Sequence, residues 1–203
     1  MVSLQLYSDS MEGHYIAQAC NALRSGELII FPTGTSYAIG CDSLNQRAIE
    51  RICRIKGINP DKSTLSIICS GISQAADCVR IDNGAFAILK QFTPGPYTFI
   101  LPASTKLPKA FKGRKTVGVR IPESSVALSL AQTLGNPILC SSLCSATEDC
   151  SYMTTDEIEC QYGNFASVML KVGEIETSMT TIINLCESSD PVVLRQGVGD
   201  FIM

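Results

Sequence analysis

The chain has 203 residues, 45 % of them hydrophobic and 17 % charged, which suffices for a sizeable core and is unlike a disordered chain. No run of about 18 apolar residues occurs, so no membrane span is expected, and Met1–Gln5 lacks the basic region and long apolar core of a signal peptide. The net charge of −3 conceals a division: residues 43–122 carry 13 Lys/Arg against 4 Asp/Glu, whereas residues 123–203 carry 2 against 11.

Two arrangements follow from that division. Either the basic middle concentrates a positive field over one surface, which attracts the phosphates of a nucleotide or polynucleotide, or the basic and acidic parts face each other and neutralise. Ten cysteines are present, most of them inside apolar runs, where free cysteine behaves as a small buried hydrophobe. There is no C-x-x-C pair and His14 is the one histidine, so no metal site is expected and the chain reads as reduced and cytoplasmic.

Elements are predicted in chain order from periodicity and caps. Ser10–Ser25 reads as a helix with Ile16, Ala17, Cys20 and Leu23 on one face, stopped by Gly26. Leu28–Phe31 reads as a strand that stops at Pro32 or lies on an edge, because proline cannot donate to a ladder. Asn45–Lys56 is a helix ended by Gly57, with an apolar stripe of Ala48, Ile49, Ile52 and Ile55 opposite Arg47, Arg51 and Arg54. Thr64–Cys69 is a strand and Asp82–Gln91 a helix capped by Asp82. Tyr97–Leu101 and Thr116–Ile121 alternate as strands on either side of a basic loop, Lys106–Lys115. Ser124–Leu134 is a helix closed by Gly135, followed by a strand at Pro137–Cys140 and a helix at Thr154–Tyr162. Ala166–Val172, Thr180–Leu185 and Val192–Leu194 read as short strands. Interleaved strands and helices imply an α/β fold around one mixed, twisted sheet.

Candidate chemistry concentrates after the first strand. Thr33, Thr35, Ser36 and Tyr37 place four hydroxyls within five residues, and Gly34 and Gly40 permit close backbone approach. Lys56 falls near the apolar stripe of its helix; it either reaches into a cleft beside the hydroxyl turn or simply serves the helix C-terminus. Arg120, near the end of an apolar strand, needs a partner, which is either a ligand carboxylate or phosphate or an internal carboxylate. Ser141 and Ser142 end another strand, Thr180 and Thr181 begin one, and Arg195 ends the last. No P-loop, G-x-G-x-x-G or G-x-S-x-G is present, so a bound nucleotide would be held by hydroxyls and scattered cations.

The segments Phe31-Pro32-Thr33-Gly34-Thr35-Ser36-Tyr37-Ala38-Ile39-Gly40-Cys41, Lys56-Gly57, Pro94-Gly95-Pro96-Tyr97-Thr98, Val117-Gly118-Val119-Arg120-Ile121-Pro122 and Val193-Leu194-Arg195-Gln196-Gly197, in that order, resemble the YrdC-like family of translation-related proteins. Glu50–Ile55, Ser141–Leu143 and the ending Arg195–Asp200 are most similar to its YciO branch. The resemblance implies an open twisted mixed sheet with flanking helices, forming a single domain over residues 1–203, and a positively charged concave surface that binds nucleotides and RNA. Well understood members make threonylcarbamoyl-AMP from threonine, bicarbonate and ATP with Mg²⁺, for tRNA modification. Carried over by position, Thr33, Thr35, Tyr37, Arg120 and Thr180 would line a small amino-acid substrate, and Lys56, Ser142 and Arg195 would hold the nucleotide, Lys56 also acting in catalysis. The chain departs from the synthases at Ile58, where the second cation of a Lys-x-Arg motif stands. It departs also at Cys144, where Ser-x-Asn has asparagine, and at Ser124, where a histidine usually follows the Arg-x-Pro run. Two functions are therefore expected: an ATP-using nucleotidyltransferase, or a non-catalytic module that binds tRNA or double-stranded RNA.

Overall fold

The computed structural model describes residues 1–7, 13–58, 66–104, 114–143 and 153–202. The expected start of the first helix, the first two residues of the expected strand Thr64–Cys69, most of the basic loop (Lys106, Lys109 and Lys112) and Cys144 lie outside the described residues. The elements in chain order are β1 (Val2–Gln5), α1 (Gly13–Arg24), β2 (Ile29–Pro32), β3 (Tyr37–Asp42), α2 (Gln46–Ile55), β4 (Ser66–Ile68), α3 (Ile72–Ala76) and α4 (Asn83–Phe92). They continue with β5 (Tyr97–Pro102), β6 (Thr116–Arg120), α5 (Ser125–Leu134), β7 (Ile138–Ser142), α6 (Thr155–Tyr162), β8 (Val168–Lys171), β9 (Thr181–Asn184) and β10 (Val192–Arg195).

Among the described residues the strands form one open mixed sheet in the order β1-β8-β2-β3-β7-β4-β6-β5-β9-β10. Four neighbouring pairs are parallel: β1 with β8, β8 with β2, β4 with β6, and β5 with β9. The expected α/β fold with flanking helices is the one observed. α1 and α5 cover one face, over Phe31, Ala38, Ile68 and Cys140. The other face carries Ile30, Ile39, Ile67, Phe99, Val119 and Leu139, packed under residues of α2, α4 and α6 such as Ile52, Leu89 and Ile158. Burial on both faces explains why β2 and β3 read as unbroken apolar or small-residue runs.

Local rules locate most helix ends. The Asn45 side chain accepts from Ala48 N at 3.0 Å to cap α2, and Asp82 does the same for α4 from Ala85 N at 2.8 Å. Gly135 ends α5 with φ of 82°, in the left-handed region that glycine adopts without penalty. The α2 stripe behaves as its spacing predicts: Ala48, Ile49 and Ile52 are buried, Arg47 and Arg54 are exposed, and Arg51 pairs with Glu27 at 3.3 Å.

Three differences stand out. No strand was expected between residues 32 and 45, yet residues 37–42 form β3, at the heart of the sheet, so β2 is a central strand that ends at Pro32 rather than an edge. The β1 edge strand was not expected, because three of its four side chains are exposed and no apolar run marks it. The five-residue α3 was too short for periodicity to reveal.

Six of the ten cysteines, Cys20, Cys41, Cys53, Cys69, Cys78 and Cys140, are buried and free. Burial pushes each of these thiols above its ordinary range, so they stay protonated and unreactive. Native alkylation followed by mass spectrometry should label the exposed Cys160 and, more slowly, the half-buried Cys186, leaving those six untouched until the chain unfolds. The linkage has a definite sign. As pH rises the unfolded chain loses these protons first, so the stability they contribute is present below roughly pH 8.5 and declines above it.

Candidate functional site

The turn between β2 and β3 closes on itself. Thr33 N and Thr33 Oγ1 both donate to Ser36 O at 2.9 Å, and Gly34 takes φ of +86°, which a side chain would strain. Ser124 Oγ donates to Pro32 O at 2.8 Å while capping α5, so the helix N-terminus fixes the start of the turn. The remaining hydroxyls point to partners from distant segments. Ser36 Oγ lies 3.1 Å from Ser142 Oγ at the end of β7. Thr35 Oγ1 accepts from Arg120 Nη2 at 3.2 Å, and Thr35 O accepts from Ser178 N at 2.8 Å.

Arg120 ends β6 and is 6 % exposed. No carboxylate among the described residues pairs with it, and its Nε has no hydrogen-bond partner. Burial holds its guanidinium below the usual arginine range, and the charge of Arg195 lowers it further. Thr180 brings Arg195 to the same place. Arg195 Nε and Nη2 both donate to Thr180 O, at 3.2 and 2.8 Å, and Thr180 Oγ1 lies 2.9 Å from Thr98 Oγ1. Thr35, Thr98, Arg120, Thr180 and Arg195 thus form one polar cluster with two cations and no described acid.

The segment after β10 holds that corner. Gly197 N donates to Thr181 Oγ1 at 2.9 Å, Thr181 Oγ1 donates to Gly199 O at 2.6 Å, and Val198 N donates to Met179 O at 3.0 Å. Gln196 Nε2 donates to Gly199 O at 2.8 Å, and Tyr97 OH to Asp200 O at 2.8 Å.

Lys56, at the C-cap of α2, turns across to the end of β7. Its Nζ donates to Leu143 O at 3.2 Å and stands 5.9 Å above the Tyr162 ring. It is thereby carried toward Ser142 and Ser36 rather than left in solvent. Tyr37 serves differently from its neighbours. Its hydroxyl donates to Gly173 O at 2.6 Å and accepts from Val172 N at 3.0 Å, pinning the segment that leads from β8 to Ser178 and Thr180. Among the described residues, no group of three or more His, Cys, Asp or Glu side chains is arranged to hold a metal ion. No described helix is long and apolar enough to cross a membrane.

Residues 21–197 match the family model for Sua5, YciO and YrdC, described as telomere recombination. The chain belongs to the Sua5/YciO/YrdC family. It is 34 % identical over 197 residues to the uncharacterized protein YciO of Escherichia coli K12, covering 96 % of this chain and 95 % of that one. The crystal structure of E. coli YciO superposes with a TM-score of 0.88 at 33 % identity, covering 98 % of both chains. The structure of Pyrococcus abyssi Sua5 complexed with L-threonine superposes with a TM-score of 0.83 at 28 % identity, covering 97 % of this chain and 58 % of Sua5. The threonylcarbamoyl-AMP synthase of P. abyssi is 31 % identical over 191 residues, and this chain spans 56 % of it.

Two of the three positions where departures from the synthase motifs were expected, Ile58 and Ser124, have structural employment. Ile58 is half-buried and, like Ile55, packs against the hydrophobic core, so this position makes an apolar contact. Ser124 is an N-cap with a second bond to Pro32 O. Sequence reasoning gave no site role to Thr98 or Gln196. Thr98 and its neighbour Phe99 are both buried, on opposite faces of the sheet, so no alternation marks Thr98, and the partners of Gln196 are known once the tail has crossed β9.

Proposed function

We propose that this protein is a threonylcarbamoyl-AMP-synthase-like nucleotidyltransferase, a single cytoplasmic domain that takes ATP with Mg²⁺ and a small amino acid. The observation that carries the reading is Arg120: a buried guanidinium with an unpartnered Nε, no described acidic partner and a second cation nearby. Leaving such a group without an anion is costly, and a ligand carboxylate or phosphate supplies what the chain does not. Kinship to the Sua5 crystallised with L-threonine supports an amino acid as the ligand.

In this reading Thr33, Thr35, Tyr37 and Thr180 shape the amino-acid end, with Arg120 on its carboxylate. Lys56, Ser142 and Arg195 face the triphosphate. Mg²⁺ arrives as part of the nucleotide, bound mainly by phosphate oxygens, which suits a site with hydroxyls and no acidic cluster. The amino nitrogen bonds to the carbon of bicarbonate as a C–O bond of bicarbonate breaks and water leaves, giving a carbamate; a carbamate oxygen then bonds to the α-phosphorus, and the bond from that phosphorus to the β-phosphate bridge breaks, releasing pyrophosphate. No protein nucleophile is needed. The site aligns the reactants and offsets negative charge as it builds on phosphate oxygens.

The test is pyrophosphate release from ATP, Mg²⁺ and bicarbonate, with and without threonine. Threonine-dependent release that Lys56→Ala removes is the expected result. ATP binding without release under any amino acid would overturn turnover and leave a nucleotide-binding protein. The exposed Arg47 and Arg54 favour a second reading, RNA binding. It predicts affinity for duplex RNA that falls steeply with salt and survives Arg120→Met.

A further inference from the structure

Among the described residues the sheet ends at β10, which pairs with β9 alone. The outer side of such a strand is a row of unpaired N–H and C=O groups, which proteins usually blunt with polar or charged side chains or a cover. β1, at the opposite edge, follows that rule: it exposes Ser3 and Gln5, and the Lys171–Glu159 ion pair stands beside it. β10 does not. It exposes three aliphatic side chains in succession, Val192 at 46 %, Val193 at 39 % and Leu194 at 58 %. A bulge between Val193 and Arg195 leaves Leu194 without a partner on β9. The strand is nevertheless held in place at both ends. Ser188 Oγ donates to Asp82 Oδ2 at 2.9 Å in the turn before it, and Arg195 Nη2 donates to Thr180 O at 2.8 Å at its end. Beyond Arg195 the bonds of the tail run inward, from Gly197 N to Thr181 Oγ1 and from Val198 N to Met179 O, so the tail leaves the outer side of β10 open.

We infer that β10 pairs in antiparallel fashion with β10 of a second copy of this chain, continuing the sheet across a two-fold axis at Val193. The charges select both the occupant and its direction. Asp190 precedes the apolar run and Arg195 ends it, with no charge between them. Antiparallel self-pairing about Val193 sets Val192 against Leu194 of the second copy and brings each Asp190 toward Arg195 of the other. Parallel pairing would set like charges side by side. The strand is therefore complementary to its own reverse, and an isologous contact of this kind closes on itself as a dimer. The edge is fixed beforehand by its anchors, so little ordering is needed on association. A contact centred on four residues a side belongs with small interfaces, below about 1,200 Å² in total, so the dimer is a weak one with a Kd on the order of 10–100 μM. The pairing does not depend on the nucleotide reading: Arg195 keeps its bond to Thr180 O and contributes only its charge.

Sedimentation velocity of the full chain tests this directly. The wild type should be monomeric at about 1 μM and mostly dimeric at about 500 μM. Val193→Lys places two ammonium groups against each other at the axis and should weaken association by at least about tenfold, with circular dichroism and melting temperature still those of a folded chain. Val192→Lys alone should weaken it similarly. Combining Val192→Lys with Leu194→Glu sets opposite charges across the axis twice, and should restore most of the dimer that Val192→Lys removes. This second pair of variants decides the matter should Val193→Lys fail to fold. A wild type that stays monomeric throughout would overturn the second copy as the occupant of the edge. A dimer that Val193→Lys leaves intact would place the contact elsewhere and overturn the inference, and a combined variant no better than Val192→Lys would overturn the antiparallel register.

Discussion

Replacing Arg120 by methionine should stabilise the unliganded protein and abolish its anion binding. The two signs have one cause. Arg120 is buried with one described hydrogen bond, to Thr35, and an unpartnered Nε, and the charge of Arg195 opposes it. Replacing buried charge by an apolar side chain of similar volume is often stabilising by about 1–4 kcal/mol. For a chain of this size each kcal/mol corresponds to roughly 2–4 °C in Tm, so a rise of several degrees is expected by calorimetry. Anion affinity should fall by about a hundredfold or more, since charge-assisted hydrogen bonds contribute roughly 1.5–3 kcal/mol each. The opposite outcome is equally informative. A fall in Tm would mean that an internal partner compensates Arg120, and the argument for a ligand carboxylate or phosphate would lose its basis.

Gly197→Ala should cost both stability and ligand binding, although the residue touches no expected substrate. A Cβ there would overlap Met179 O and the carbonyl carbon of Thr180, and would stand 2.6 Å from Thr181 N. These are backbone atoms of the segment that enters β9, so no side chain can swing aside. Overpacking of this kind costs about 1–3 kcal/mol, and a clash with backbone belongs at the upper end. The tail must lift, breaking the bonds from Gly197 N to Thr181 Oγ1 and from Thr181 Oγ1 to Gly199 O. Arg195 precedes this segment by two residues and loses its fixed bearing on Thr180 O. Val198→Ala, one residue on and 56 % exposed, should change stability by no more than about 0.5 kcal/mol. Thermal melts with ATP titration of both variants test the pair. A Gly197→Ala protein that binds ATP like the wild type would show that the tail does not position Arg195.

The helices were largely legible in the sequence because their determinants are local. Asn45, Asp82 and Ser124 cap through bonds three residues away, and the α2 stripe repeats at helical spacing. The ordered motif set carried the family, and with it the sheet and the positions Thr35, Arg120 and Arg195. What stayed hidden depends on pairing across long stretches of chain. Tyr37–Asp42 is a strand because β2 and β7 lie on either side of it, and its buried glycine and cysteine give no alternation to read. Nothing local announces that Tyr37 would pin Gly173, that Lys56 would reach Leu143, or that Thr98 would meet Thr180. By itself the sequence determined which residues could carry chemistry: the hydroxyl turn, the lysine at a helix end and the arginines at strand ends. Only the tertiary structure decided that Arg120 is buried beside Thr35 without a described acid, because burial and partnership are properties of the folded sheet and not of any segment within it.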